Sequence, residues 1–85
     1  MEFSQYCSFS YEEQYLAIAG PQRKITIIDL KTLKTYKIIE NSHQSNVCAV
    51  QFTNNTSQLL SADMIGNIKL WNIEHSECQD KVEGL

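Results

Sequence analysis

The chain has 85 residues, 42% hydrophobic and 20% charged, enough for one small domain that buries only about 60% of its unfolded surface and is marginal alone. It has no apolar run of the roughly 18 residues that a membrane span needs, no basic-then-apolar leader in residues 1–9, and too little Gly and Pro for a collagen-like or linker chain. Its net charge of −3 and pI near 5.2, with no basic stripe in either half, argue against a nucleic-acid or anionic-lipid surface.

In chain order, Tyr15–Ala19 and Ile25–Asp29 are short, apolar and β-branched, and read as strands. Gly20-Pro21-Gln22 between them is a turn signal. Asp29 to Thr32 opens a second turn, and Thr35–Ile39 follows as a strand. Val47–Phe52 is the next strand. Thr53 to Ser57 is a loop of residues that hydrogen-bond their own backbone. Gln58–Ala62 and Ile68–Ile73 are strands around a turn at Gly66, and a last strand is read at Cys78–Val82. Strands at roughly 10-residue spacing with turns between them predict an all-β meander.

The meander repeats. Phe9 and Phe52 lie 43 residues apart, as do Leu16 and Leu59, Ile25 and Ile68, and Glu40 and Glu83. Similar pairs at the same offset are Ser10 and Thr53, Ile28 and Trp71, Asp29 and Asn72, and Leu30 and Ile73. The chain therefore divides into two copies, residues 1–41 and 42–85. Alternation along the central strands leaves both faces apolar. Ile25 and Ile27 point opposite to Thr26 and Ile28, and Ile68 and Leu70 opposite to Lys69 and Trp71. A sheet with one wet face alternates more cleanly. Two covered faces and a period of about 40–45 residues suit four-stranded antiparallel blades of a β-propeller.

The segment Ser61-Ala-Asp-Met-Ile-Gly-Asn-Ile-Lys-Leu-Trp-Asn72 resembles the end of a WD repeat, with Asn72 where that family usually has Asp. The run from Ile73 to Gly84 resembles the family's approach to its next Gly-His. Ser8-Phe-Ser10 through Ile25–Leu30 resembles a degenerate copy with Ile28 in the Trp place, and Ser42-His43 stands in the Gly-His place. The resemblance implies two blades of a propeller, open when alone. It also implies a blade-locking tetrad of His, Ser or Thr, Asp and Trp. His43, Ser61 and Trp71 match three of its members. The family's Asp stands six residues before the Trp, where this chain has Ile65. Asp63, two positions away, is the alternative that could substitute for it. The first copy has Gln22 at that spacing and no Trp.

The remaining chemistry-bearing residues read as structure. His43 as a catalytic base or a metal ligand has no neighbour suited to either role. His75-x-x-Cys78 is half of a zinc site, and zinc needs four ligands, or three plus water. Cys7, Cys48 and Cys78 are an odd number, widely spaced, and fit reduced thiols inside a cell. Trp71 at the signature position reads as core. Asn54-Asn-Thr56 and Asn55-Thr-Ser57 match a glycosylation sequon but read as a polar turn. Lys31, Lys34 and Lys37 read as a solvated edge. There is no nucleophile elbow or phosphate loop. The sequence therefore predicts no enzyme, cofactor or metal site.

The resemblance implies a protein-interaction scaffold or substrate-recruiting module, in the cytoplasm or nucleus. The stretch from Ala17 to Ile25 resembles the first blades of propellers in ubiquitin-ligase substrate receptors. Loops expected on one docking face hold Gln22, Arg23, Gln44, Asn46, Asp63, Met64 and Ile65. Met64 and Ile65 are apolar in a turn that needs no apolar residue. The alternative is a structural module. Its two end sheets lack neighbours, and copies joined head to tail could close a ring. The repeat phase puts the next His equivalent at position 86, so further blades on a longer gene product are also expected.

Overall fold

The computed structural model describes residues 6–55, 57–75 and 77–82. Strands β1 (Cys7–Phe9), β2 (Tyr15–Ala19), β3 (Ile25–Asp29) and β4 (Lys34–Ile39) form one antiparallel meander. Strands β5 (Val47–Phe52), β6 (Gln58–Asp63), β7 (Ile68–Asn72) and β8 (Glu77–Val82) form a second, in the same order. The β-branched runs became strands because every alternate side chain finds an apolar surface. Strand β1 is only three residues long, too short for alternation to reveal, and a 3-10 turn at Tyr11–Glu13 separates it from β2.

The repeat extends to the backbone. The Ser10 amide bonds to the Tyr15 carbonyl, and Thr53 to Gln58. Gly20 bonds to Lys24, and Asp63 to Asn67; Leu30 bonds to Gln14, and Ile73 to Ser57. Each pair is displaced by 43 residues. So are two bulges in the last strands, where the register skips Tyr36 opposite β3 and Gln79 opposite β7. A bulge increases local twist, so the last strands of the two sheets twist alike, while β5 carries a further irregularity at Cys48. The tight reversal at 20–24 places Gln22 and Arg23 at φ of 61° and 63°, a left-handed conformation unfavourable to non-glycine residues. In the second copy Gly66 takes the positive φ.

The sheets pack face to face. Ala17, Ile25, Ile27 and Ile39 of the first share one cluster with Val47, Val50, Phe52, Leu59 and Trp71 of the second, and Ile73 completes it. Ala17, Ile25, Ile27 and Leu59 are fully buried. At about 25 cal/mol per Å² of apolar surface removed from water, this contact stabilises the pairing of the two sheets. A polar bond pins it: the Phe52 amide donates to Ser8 Oγ at 3.1 Å across the interface. The connection between sheets is pinned as well. Both the amide and Oγ of Ser42 donate to the Arg23 carbonyl, at 3.2 and 2.7 Å.

Alternation leaves the opposite faces open. On the second sheet, cross-strand pairs Leu60 with Leu70, Ala62 with Ile68, and Ile68 with Val82 line it. On the first, Phe9 pairs with Leu16, Leu16 with Ile28, and Thr26 with Ile38. Phe9 is 59% exposed and Val82 50%.

Candidate functional site

Four side chains of the second copy meet on the buried face of its sheet. β6 contributes Ser61 and, as its last residue, Asp63; β7 contributes Trp71; the segment entering β5 contributes His43. Ser61 and Trp71 share this face with Val50 and Leu59, because residues two apart on a strand and paired across strands point alike. His43 Nδ1 lies 2.9 Å from Asp63 Oδ2, and its Nε2 lies 2.6 Å from Ser61 Oγ. Trp71 Nε1 donates to the same Ser61 Oγ at 2.8 Å. The side chains of His43 and Asp63 have no solvent exposure.

Proton bookkeeping orients the chain of bonds. Indole N–H only donates, so Ser61 Oγ accepts from Trp71 and keeps its own proton to give to His43 Nε2. The imidazole is then neutral, with its proton on Nδ1, which donates to Asp63. Burial pushes the His43 pKa down, against the raising influence of its bond to Asp63 and of the Asp63 charge, with Lys69 lowering it further. Burial pushes Asp63 up, but its bonds from Asn67, His43 and Ile65 together outweigh this and hold the carboxyl below its ordinary range.

Asp63 is where the structure departs from the sequence reading. The WD spacing points to Ile65, which is 58% exposed. Asp63 takes the His43 contact and also closes its own turn. Its Oδ1 accepts from the amides of Ile65 and Asn67, each at 3.0 Å, and its Oδ2 from Asn67 Nδ2 at 3.0 Å. That local bonding, an Asx-type turn, aims the carboxylate inward from a residue two positions early. The expectation that Asp63 belongs to a docking loop is therefore corrected: it is 4% exposed and its oxygens are occupied.

The remaining predicted loop residues reach solvent. Gln22, Arg23, Gln44, Asn46, Met64 and Ile65 are exposed, in turns at the same end of the two sheets. The Met64 amide donates to the Asn46 carbonyl at 3.0 Å, which ties two of these loops together. Nearby, Lys69 Nζ donates to the Ser42 carbonyl at 2.6 Å and sits 5.6 Å from the Trp71 ring centre.

Other candidates stay apart. His75, Cys7 and Cys78 are exposed and Cys48 is half-buried. Among the described residues no three His, Cys, Asp or Glu side chains converge as metal ligands would. Asn55 of the sequon folds onto its own turn, its Oδ1 accepting from Ser57 N and Oγ at 3.0 and 2.8 Å, and Thr56 lies outside the described residues. Lys31 and Lys34 are exposed, and Lys37 Nζ lies 5.7 Å from the Tyr36 ring centre.

No family model matches the chain. Among curated proteins it is 35% identical over 66 residues to the transcriptional corepressor LEUNIG_HOMOLOG of Arabidopsis thaliana, covering 78% of this chain and 8% of that protein. It is 32% identical over 75 residues to the retinoblastoma-binding protein 5 homolog of Drosophila melanogaster, covering 88% of this chain and 15% of that one. The chain thus spans less than a sixth of either relative. Among solved structures, it matches the β-propeller domain of Cps50 (Swd1) from Myceliophteria thermophila with a TM-score of 0.81 at 22% identity, covering 93% of this chain and 25% of that one. It matches the RRP9 WD40 repeats with a TM-score of 0.80 at 21% identity, covering 89% and 23%.

Proposed function

The chain belongs to the WD-repeat β-propeller family, as two consecutive repeats, and we propose that it is a non-enzymatic, intracellular protein-interaction module. Its docking face is the loop end that carries Gln22, Arg23, Gln44, Asn46, Met64 and Ile65. The observation that carries this is the turn at Met64 and Ile65, which are 69% and 58% exposed on a backbone fixed by Asp63 and Asn46. A rigid turn that offers two apolar side chains to water suits an anchor for a partner. On this reading the network of His43, Ser61, Asp63 and Trp71 locks the blade that presents the turn. It does no chemistry.

The test is a double variant, Met64→Ser with Ile65→Ser. It should retain the wild-type circular dichroism spectrum and thermal midpoint. In a pull-down read by mass spectrometry it should lose proteins that the wild type retains. Equal recovery of the same proteins would reject this docking face.

A second reading is a self-associating module that closes a ring of copies. The two apolar outer sheet faces favour it, because exposed apolar patches on soluble chains mark interaction surfaces.

A further inference from the structure

We propose that the open face of the second sheet seats the open face of the first sheet of another copy of this chain, head to tail. This rests on the self-association reading and adds which faces meet and in what polarity.

The 43-residue displacement carries the argument. The face of the first sheet that is buried inside the molecule presents Ala17, Ala19, Ile25, Ile27 and Ile39. Adding 43 to each gives Leu60, Ala62, Ile68, Leu70 and Val82, all apolar and all on the open face of the second sheet. The converse also holds. The buried face of the second sheet presents Val50, Phe52, Leu59 and Trp71. Subtracting 43 gives Cys7, Phe9, Leu16 and Ile28, on the open face of the first. The open faces are thus the repeats of the two halves of an interface that the chain already makes.

Shape follows the same displacement. The bulges at Tyr36 and Gln79 occupy equivalent places, so the last strands of the two sheets carry matching irregularities. Side-chain sizes change on both faces: Ala17 becomes the larger Leu60, and Trp71 on the opposing face becomes the smaller Ile28. The polar pin has an equivalent too. Ser8 and Phe52 map to Gln51 and Phe9, so the Gln51 side-chain carbonyl is placed to accept from the Phe9 amide of the next copy.

Because unlike faces meet, the contact is heterologous and leaves one live face at each end of a pair. That distinguishes it from a two-fold dimer, in which each face meets itself.

The test is sedimentation of the 85-residue chain at tens of micromolar, together with two single-face variants. The wild type should sediment as multiples of its 9.8 kDa mass. Leu60→Lys disables the second-sheet face, and Phe9→Lys the first. Each variant alone should be monomeric, and their mixture should form a one-to-one dimer that grows no further. If either variant loses its circular dichroism signal, Val82→Glu or Ile38→Glu replaces it on the same face. A monomeric wild type overturns both the proposal and the self-association reading, including the case where only repeats fused to the chain cover the faces. An associating wild type whose variants do not rescue each other overturns the head-to-tail pairing alone.

Discussion

Asp63 Oδ2 lies 2.9 Å from His43 Nδ1, joining the last residue of β6 to the segment that leads into β5. The acid reaches this place from two residues before its usual WD position. Four donors converge on one carboxylate: the amides of Ile65 and Asn67, Asn67 Nδ2 and His43 Nδ1. The residue that folds the turn is also the residue that fixes the histidine, so turn and network form together.

Asp63→Asn should therefore be severe. An amide keeps one accepting oxygen and sets an NH2 against donors that had a carboxylate. Each buried donor left unpaired costs about 1–3 kcal/mol, and each kcal/mol lowers the midpoint of a domain this size by about 4–8 °C. Adding Ile65→Asp should not restore stability, because that side chain points into solvent. Thermal melts of the single and double variants check this, and recovery by the second change would show that the turn can re-register.

Acid should weaken the same network in two stages. The folded pKa of His43 lies below the ordinary 6.5 because of burial first, despite Asp63. Between those two values the unfolded chain binds more protons, so stability falls as pH drops below 6.5. Protonation would also turn Nε2 into a donor and leave the Ser61 proton without an acceptor. Asp63 is held below its ordinary 3.8 by its hydrogen bonds, which outweigh burial, so its contribution is present above that value and lost as pH falls through the lower folded value. Urea midpoints across pH 7.5 to 5 should decline for the wild type. In His43→Gln the slope should flatten while the midpoint at pH 7.5 is already lower. Equal slopes in both chains would assign the acid sensitivity elsewhere.

Ser61→Ala should cost more than the loss of one hydroxyl suggests. It strands Trp71 Nε1–H and His43 Nε2 together, at about 1–3 kcal/mol for each buried unpaired group. Trp71→Phe removes one of those groups, so the two changes should not add. A double-mutant cycle should return a coupling of roughly 0.5–3 kcal/mol, the range for residues within one network. A coupling near zero would mean the Trp71 indole bond carries no stability.

Most of the fold is legible in the residues. The offset of 43 between Phe9 and Phe52, or Ile25 and Ile68, gives the repeat, and alternation along β3 and β7 gives the two apolar faces. Strand β1 is less legible because Cys7–Phe9 is too short for a period to register. His43, Ser61 and Trp71 stand at family spacings and do converge. Asp63 was legible only as an alternative, because spacing counts residues and ignores the turn. Asp63 closes that turn on Ile65 and Asn67, which rotates the acid inward and Ile65 outward. The signal available in the sequence was an Asp followed three residues on by Gly66, a pattern that suits an Asx turn ending at a positive φ.

The bond between Ser8 and Phe52 was not legible, since it joins residues 44 apart across two sheets, and it yields the most local prediction. Phe52 is 7% exposed, and its amide donates to Ser8 Oγ instead of to a neighbouring strand. Ser8→Ala leaves that donor buried without a partner, at about 1–3 kcal/mol. Ser10 offers an internal comparison: its Oγ accepts from the Tyr15 amide at 2.8 Å within the first sheet alone. Hydrogen exchange should show the Phe52 amide losing protection in Ser8→Ala while the Tyr15 amide keeps it. Ser10→Ala should show the reverse. Ser8→Thr retains an oxygen and should retain Phe52 protection. If Ser8→Ala left the Phe52 amide fully protected, the sheets would be held by apolar packing alone, and the polar pin would contribute nothing to their register.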